Sequence, residues 1–245
     1  MFYLRPLFFL SICLTLCTSG FAQPTSKPYL EQTKSITPEY IKALAPAIGK
    51  VRIKERLNNH WSIGSGTYVG DIGSNYFFLT CNHVIRGCKK DSAEVWFPYS
   101  QQSIRARVIN TDFINDLSLL LLEYKPLVKP ILVSKRDRKL QTGQYVYTFG
   151  ITGSRGEGIT IRPGRVTSSD LKDIEIWNPG QVSHPGDSGG PLVDTYGELI
   201  GVLNKSTWGN NPYLGNSYAS NTSAVLRIFK YDYVKPNWPA KPPYT

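Results

Sequence analysis

From residue 51 onward, apolar and polar positions alternate with a period of two. Val51 and Ile53 open the series toward Arg56. Further runs follow over 61–69, 76–80, 94–97, 104–109 and 117–123. Alternation at this period predicts strands with one face buried. Six short runs separated by turn residues suit one antiparallel barrel. Residues 125–139, with Pro126 and Pro130, read as a linker. The pattern then repeats over 145–150, 158–167, 174–177, 190–194, 199–204 and 213–219. The expectation is an all-β chain of two six-stranded antiparallel β-barrels, over residues 48–128 and 129–230.

Helical signals stand only at the margins. Thr37-Pro38-Glu39 offers a cap, a proline at the first helical position and an acid in the first turn. Ile41, Leu44 and Ile48 would share a face, and Pro46 ends the regular part. Thr222-Ser223 can cap a last helix running through Phe229. Residues 23–36 are polar and proline-punctuated, so 23–47 reads as an arm followed by a short helix. Residues 231–245, with Pro236, Pro239, Pro242 and Pro243, read as a tail.

Composition agrees with a turn-rich β protein. Charged residues make up only 19%, while Gly (21), Pro (17) and Tyr (15) are plentiful in 245 residues. The net charge of +10 could attract a polyanion. The basic residues are scattered, however, with only short groups such as Lys135-Arg136-Asp137-Arg138-Lys139. The charge is therefore read as solubility, with no nucleic-acid partner.

Residues 1–22 read as a secretory signal. Arg5 gives the positive start, residues 7–17 the apolar stretch, and Gly20-Phe21-Ala22 the small residues before cleavage. The bulky residues before Cys13 and Cys17 argue against a lipoprotein anchor. The expected location is secreted or periplasmic, with no membrane anchor after cleavage. Cys81 and Cys88 then remain as an even pair in an oxidising compartment. A bridge between them would close an eight-residue loop and contribute about 2.5 kcal/mol on the chain-entropy account. Two buried thiols are the alternative.

The candidate chemistry lies in three places. His184-Pro185-Gly186-Asp187-Ser188-Gly189-Gly190 sets one serine among glycines, before a strand-like run. Small neighbours let other backbone approach the hydroxyl, and the N–H groups of Gly186, Asp187 and Ser188 can point into one space. Donors so arranged form an oxyanion device. Thr80-Cys81-Asn82-His83 follows one apolar run, and Asn115-Asp116-Leu117 opens another. A serine hydroxyl is a poor nucleophile at neutral pH and needs a base. His83 titrates in the right range, and Asp116 can hold its tautomer. His60, in a polar turn, reads as a surface residue. His184 reads as a packed wall, with substrate contact as the alternative.

Together these motifs resemble the trypsin-like (chymotrypsin-fold) serine endopeptidases over residues 48–229. The order His83, Asp116, Ser188 and the spacings of 33 and 72 residues are similar to the compact bacterial branch, including HtrA-type protease domains. The resemblance implies a crevice between two barrels, with His83 and Asp116 from the first and Ser188 from the second. It implies that Gly64-Ser65-Gly66 passes beneath the site, with a bulge as the alternative. No PDZ-sized segment remains, so a protease domain without the HtrA-type C-terminal modules is expected. The resemblance also implies a specificity pocket of Val182, Leu203, Asn204, Lys205 and Ser206. Val182 stands where enzymes for basic side chains keep an aspartate, so a small or apolar residue before the scissile bond is expected, with glutamate as the alternative. Digestive relatives pair the aspartate before the nucleophile with a new N-terminus. No such start is present, so Asp187 needs a Lys, an Arg or backbone N–H groups, and no activating cleavage is expected.

The implied activity is that of a secreted serine endopeptidase acting on protein or peptide substrates as a monomer, without cofactor or metal. A catalytically silent protease-fold binding protein is the rival; such proteins lose a triad member, and here all three are present. A hydrolase using the same triad on esters is a third reading. Asn204-Lys205-Ser206 and Asn221-Thr222-Ser223 match the glycosylation pattern, which matters only in a eukaryotic secretory route.

Overall fold

The computed structural model describes residues 37–54, 61–88, 92–135, 140–151, 158–170, 173–178, 183–207 and 215–230. All of them belong to one compact unit, Ile36–Thr245. The expected leader, most of the arm and the tail lie outside the described residues, as do His60 and Val182.

Two closed barrels are present, each of six antiparallel strands. The first holds β1 (Ile48–Lys54), β2 (Trp61–Ile72), β3 (Asn75–Cys81), β4 (Ser92–Phe97), β5 (Gln102–Asp112) and β6 (Leu117–Leu122), in the spatial order β1-β2-β3-β6-β5-β4. The second holds β7 (Tyr145–Gly150), β8 (Thr160–Ser169), β9 (Asp173–Trp177), β10 (Pro191–Asp194), β11 (Leu199–Ser206) and β12 (Asn216–Ser220), in the order β10-β11-β12-β9-β8-β7. Closure leaves no open sheet edge to manage. The expected alternation is visible in β5, where Ile104 and Ala106 are buried and Ser103, Arg105 and Arg107 are exposed.

Large side chains fill the first barrel. Phe78 and Phe97 are fully buried, with ring centroids 5.8 Å apart and planes at 87°, the edge-to-face contact aromatic pairs favour. The last helix carries Ala224, Val225 and Ile228 into the same cluster. It therefore ties the end of the second barrel's sequence back to the first barrel. A smaller cluster of Val146, Val166, Ile174, Ile176, Leu192 and Leu203 sits in the second barrel.

The helix caps differ from expectation. Helix α1 (Glu39–Lys42) begins after Pro38 with no side-chain cap, so Thr37 does not serve. A 3₁₀ turn at Ala45–Ala47 carries the proline instead of a continued helix. Helix α3, Thr222–Lys230, is capped by Asn221, whose Oδ1 accepts the Ala224 N–H at 2.9 Å. The Thr222 hydroxyl donates instead to Ile200 O at 2.7 Å. Among the described residues no helix is long and apolar enough to cross a membrane.

Candidate active site

The histidine arm starts where β3 ends. At Cys81 the chain turns into α2 (Asn82–Ile85), a single helical turn. Asn82, Val84 and Ile85 face the interior, which pushes His83 outward with 43% of its side chain exposed. β3 and β6 pair with Cys81 opposite Leu117, so Asp116 arrives at the same end of the ladder. Asn82 N–H donates to Asp116 O at 3.0 Å. His83 N–H donates to Asp116 Oδ1 at 2.8 Å, and His83 Nδ1 lies 2.5 Å from Oδ2. An ionised carboxylate can only accept, so a neutral imidazole held this way carries its proton on Nδ1 and keeps the lone pair on Nε2. Asp116 reaches this position with φ at 53°. Aspartate is among the few side-chain-bearing residues that tolerate this region. The preceding turn is clamped by Asp112, whose Oδ1 accepts the N–H groups of Ile114 and Asn115, each at 3.0 Å.

The serine arm precedes β10. Gly186 adopts φ +104°, which its missing Cβ permits. Asp187 donates its N–H to His184 O at 3.0 Å. The Asp187 N–H, expected among the oxyanion donors, is thus engaged in a turn. Among the described residues no acceptor takes the N–H groups of Gly186 or Ser188. The Asp187 carboxylate is fully buried. Its Oδ2 accepts the His184 N–H at 2.7 Å and lies 2.9 Å from Arg162 Nη1. Arg162 is itself 4% exposed. Burial lowers the Arg162 pKa from its usual value, and the Asp187 charge pulls it back up. The partner anticipated for Asp187 is thus an arginine of β8 together with a backbone N–H.

Contacts between the barrels join the two arms. Ser65, on β2, donates its N–H to Ser188 O and its hydroxyl to Gly186 O, both at 2.7 Å. Cys81 S–H donates to Leu203 O at 2.8 Å, which also accepts the Gly189 N–H at 2.8 Å. A Cβ on Gly64 would fall 2.6 Å from both Val84 methyls and 3.0 Å from Ser188 O. The glycine thus marks the point where the His83 turn and the Ser188 loop crowd the same strand. Among the described residues no hydrogen bond joins Ser188 Oγ to His83. Catalytic contacts are often long before substrate binds.

A cavity of about 170 Å³ opens beside Ser188, lined by Ser183, His184, Pro185, Leu203, Lys205 and Ser206. Three residues expected in the pocket, Leu203, Lys205 and Ser206, are there. Asn204 is not; its amide donates to Asp173 Oδ1 at 3.2 Å. The Lys205 ammonium is itself paired, 2.8 Å from Asp173 Oδ2 and 4.8 Å above the Tyr218 ring. Ser183 Oγ donates to the buried Ser217 Oγ at 2.8 Å.

Cys81 and Cys88 form no disulfide, which corrects the expectation of a bridge. The Cys81 thiol is fully buried and points across the interface to Leu203 O, away from its own loop. Burial, with the nearby Asp116 charge, holds its pKa well above the usual thiol value. Cys81 Sγ, a His83 ring nitrogen and an Asp116 oxygen lie within 4.8 Å of one another. That set could ligate a cation on spacing alone. Its atoms are already matched, however: the thiol to a carbonyl and Nδ1 to a carboxylate. Arg162 is the site residue that sequence reasoning missed; Ser65 was placed beneath the site, but its hydrogen bonds to the serine loop were not anticipated. Only the need of Asp187 for a counter-charge pointed toward the arginine.

The sequence profile of the trypsin-like peptidase domain matches residues 64–202. A probable periplasmic serine endoprotease, DegP-like, of Pseudomonas putida (strain GB-1) is 28% identical over 206 residues, covering 82% of this chain and 41% of that protein. The chain therefore spans about two fifths of that curated relative. The serine endoprotease of Yersinia pestis is similar in structure, with TM-score 0.64, 22% identity, and coverage of 79% of this chain and 65% of the other. The HtrA-type protease AlgW with a tripeptide matches with TM-score 0.64, 24% identity, and coverage of 78% and 62%. At these identities the solved structures bear on the fold alone.

Proposed function

Since this chain belongs to the trypsin-like peptidase domain family, we propose that it is a serine endopeptidase cutting peptide bonds through His83, Asp116 and Ser188. The observation that carries this reading is the His83–Asp116 pair at 2.5 Å. It leaves Nε2 available as the base. In the proposed reaction Nε2 takes the Ser188 hydroxyl proton as Oγ attacks the scissile carbonyl. Asp116 stays ionised and stabilises the imidazolium. The Gly186 and Ser188 N–H groups receive the developing oxyanion. The tetrahedral adduct collapses as His83 hands its proton to the leaving amine. A water then repeats the sequence on the acyl-enzyme and restores Ser188.

The cavity beside Ser188 takes the side chain before the scissile bond, and a small or apolar residue is favoured. Its size supports this, since a cavity of about 150 Å³ accommodates benzene. So do the apolar walls from Leu203 and Pro185, and the engagement of the Lys205 ammonium by Asp173. Peptide-library cleavage profiling tests the preference; a dominance of glutamate there would refute it. Since Arg162 already neutralises Asp187, no new N-terminus is needed, and trimming residues 23–36 leaves activity within a few-fold. The reading of residues 1–22 as a leader, with the periplasmic naming of the P. putida relative, supports a secreted or periplasmic location.

A fluorophosphonate probe tests the activity itself. Wild type is labelled and Ser188→Ala is not, with turnover falling on the order of 10⁶-fold, as when the nucleophile of subtilisin is removed. Unlabelled wild type would make the chain a protease-fold binding protein.

A further inference from the structure

Ser65, on a strand of the first barrel, makes two hydrogen bonds to the serine arm of the second. It is fully buried. Its N–H donates to Ser188 O at 2.7 Å. Its hydroxyl donates to Gly186 O at 2.7 Å and accepts the Ile151 N–H at 2.8 Å. Its carbonyl accepts from the Thr80 hydroxyl at 2.7 Å. Thr80 is three residues before His83. One residue thus receives a bond from the strand that carries the base and returns two to the loop that carries the nucleophile.

The two returned bonds fall on either side of Asp187, on the carbonyls of Gly186 and Ser188. Gly186 lies at φ +104°, and a glycine sets little of its own conformation. Whatever fixes the Gly186 peptide must come from outside. Asp187 holds the centre of the segment through His184 and Arg162. The carbonyl on the Gly186 side is held by the Ser65 hydroxyl. The tethered carbonyls belong to the Gly186–Asp187 and Ser188–Gly189 peptides, so the Asp187–Ser188 peptide between them, which carries the Ser188 N–H, keeps a fixed direction. Donors fixed before charge develops cost no reorganisation when the reaction occurs.

We propose that Ser65 is a positioning residue: its hydroxyl fixes the Gly186–Asp187 peptide, and so steadies the adjoining peptide that carries the Ser188 oxyanion donor, from the opposite barrel. This rests on the endopeptidase reading above. Removing the hydroxyl leaves Gly186 O and Ile151 N–H without their partner. It leaves the His83–Asp116 pair and the side-chain cavity untouched. The loss therefore falls on the transition state and not on ground-state binding.

The test compares wild type, Ser65→Ala and Ser65→Cys on a peptide amide substrate, with a peptide boronate as tetrahedral mimic. For Ser65→Ala, kcat falls about 10-fold, less than the roughly 10²–10³ for deleting an oxyanion donor outright. KM and the pH at which His83 controls the rate stay unchanged, and boronate affinity falls by the same factor as kcat. Ser65→Cys, with a weaker donor of similar shape, falls between the two. Unchanged kcat, or a fall in kcat without a matching loss of boronate affinity, overturns the proposal. Should Ser65→Ala fail to fold, Ser65→Cys decides by the same two readouts. Wild type that neither cleaves the peptide nor takes the fluorophosphonate label defeats the endopeptidase reading instead, which keeps the two failures distinct.

Discussion

Replacing Arg162 by methionine removes a buried cation and keeps most of the side-chain volume. Arg162 is 4% and Asp187 0% exposed, with Nη1 and Oδ2 at 2.9 Å. In the variant the Asp187 carboxylate keeps the His184 N–H at 2.7 Å but loses its counter-charge in a site closed to water. Breaking one side of a buried pair costs about 3–5 kcal/mol, mostly as the uncompensated charge. The remaining hydrogen bond places the expected loss near the lower figure, about 3 kcal/mol. At about 2–4 °C per kcal/mol for a domain of this size, Tm falls by roughly 6–12 °C. Thermal and urea unfolding at pH 7 measure it. Activity falls as well, because Asp187 lies in sequence between the two proposed oxyanion donors. The decisive control is the double variant Arg162→Met with Asp187→Asn. An amide can still accept the His184 N–H and brings no charge, so most of the lost stability returns. A single variant within 2 °C of wild type, or a double variant no better than the single, would refute the charge-pair reasoning.

Gly64→Ala sets a methyl 2.6 Å from Val84 and 3.0 Å from Ser188 O. Overpacking of this kind costs about 1–3 kcal/mol. Because the backbone carbonyl cannot move freely, kcat falls together with stability; a variant as active and as stable as wild type would show that the strand has slack there. Tyr218→Phe removes the hydroxyl that donates to Glu175 at 2.9 Å across β9 and β12. That hydroxyl is the main cause holding the Glu175 pKa below its usual value. A lowered carboxylate contributes stability above its unfolded pKa and loses it as pH falls through the folded one. The variant therefore lacks that contribution at neutral pH, and its stability converges on that of wild type as pH falls through the folded pKa of Glu175. A difference from wild type that stays the same from neutral to acid pH would remove Tyr218 as the cause. For the cysteines, a reductant leaves Tm unchanged, and alkylation after denaturation without reductant modifies both Cys81 and Cys88. A mass that shows neither modified would restore the bridge.

The architecture was legible before any coordinates. Alternation along segments such as 104–107 fixes which side chains point inward, and two sets of six such runs fit two closed barrels. The three motifs were legible for a similar reason. Their chemistry depends on residue type within a few positions, as in Gly186-Asp187-Ser188 and Thr80-Cys81-Asn82-His83. The capping of α3 by Asn221 rather than Thr222 was not, because adjacent polar residues compete and the barrel takes one of them.

What remained for the tertiary structure is what lies between distant segments. The pairing of Arg162 with Asp187 depends on β8 passing under the serine loop, and periodicity carries no information on which inward position meets a charge. The role of Ser65 depends on the approach of two barrels whose sequences are separated by a linker. The cysteine pair misled because an even count and a short loop describe connectivity along the chain. The direction of the Cys81 thiol is set instead by a carbonyl from the other barrel. Local pattern determines which face of each strand is buried; only the packing of one barrel on the other decides which buried polar groups find each other.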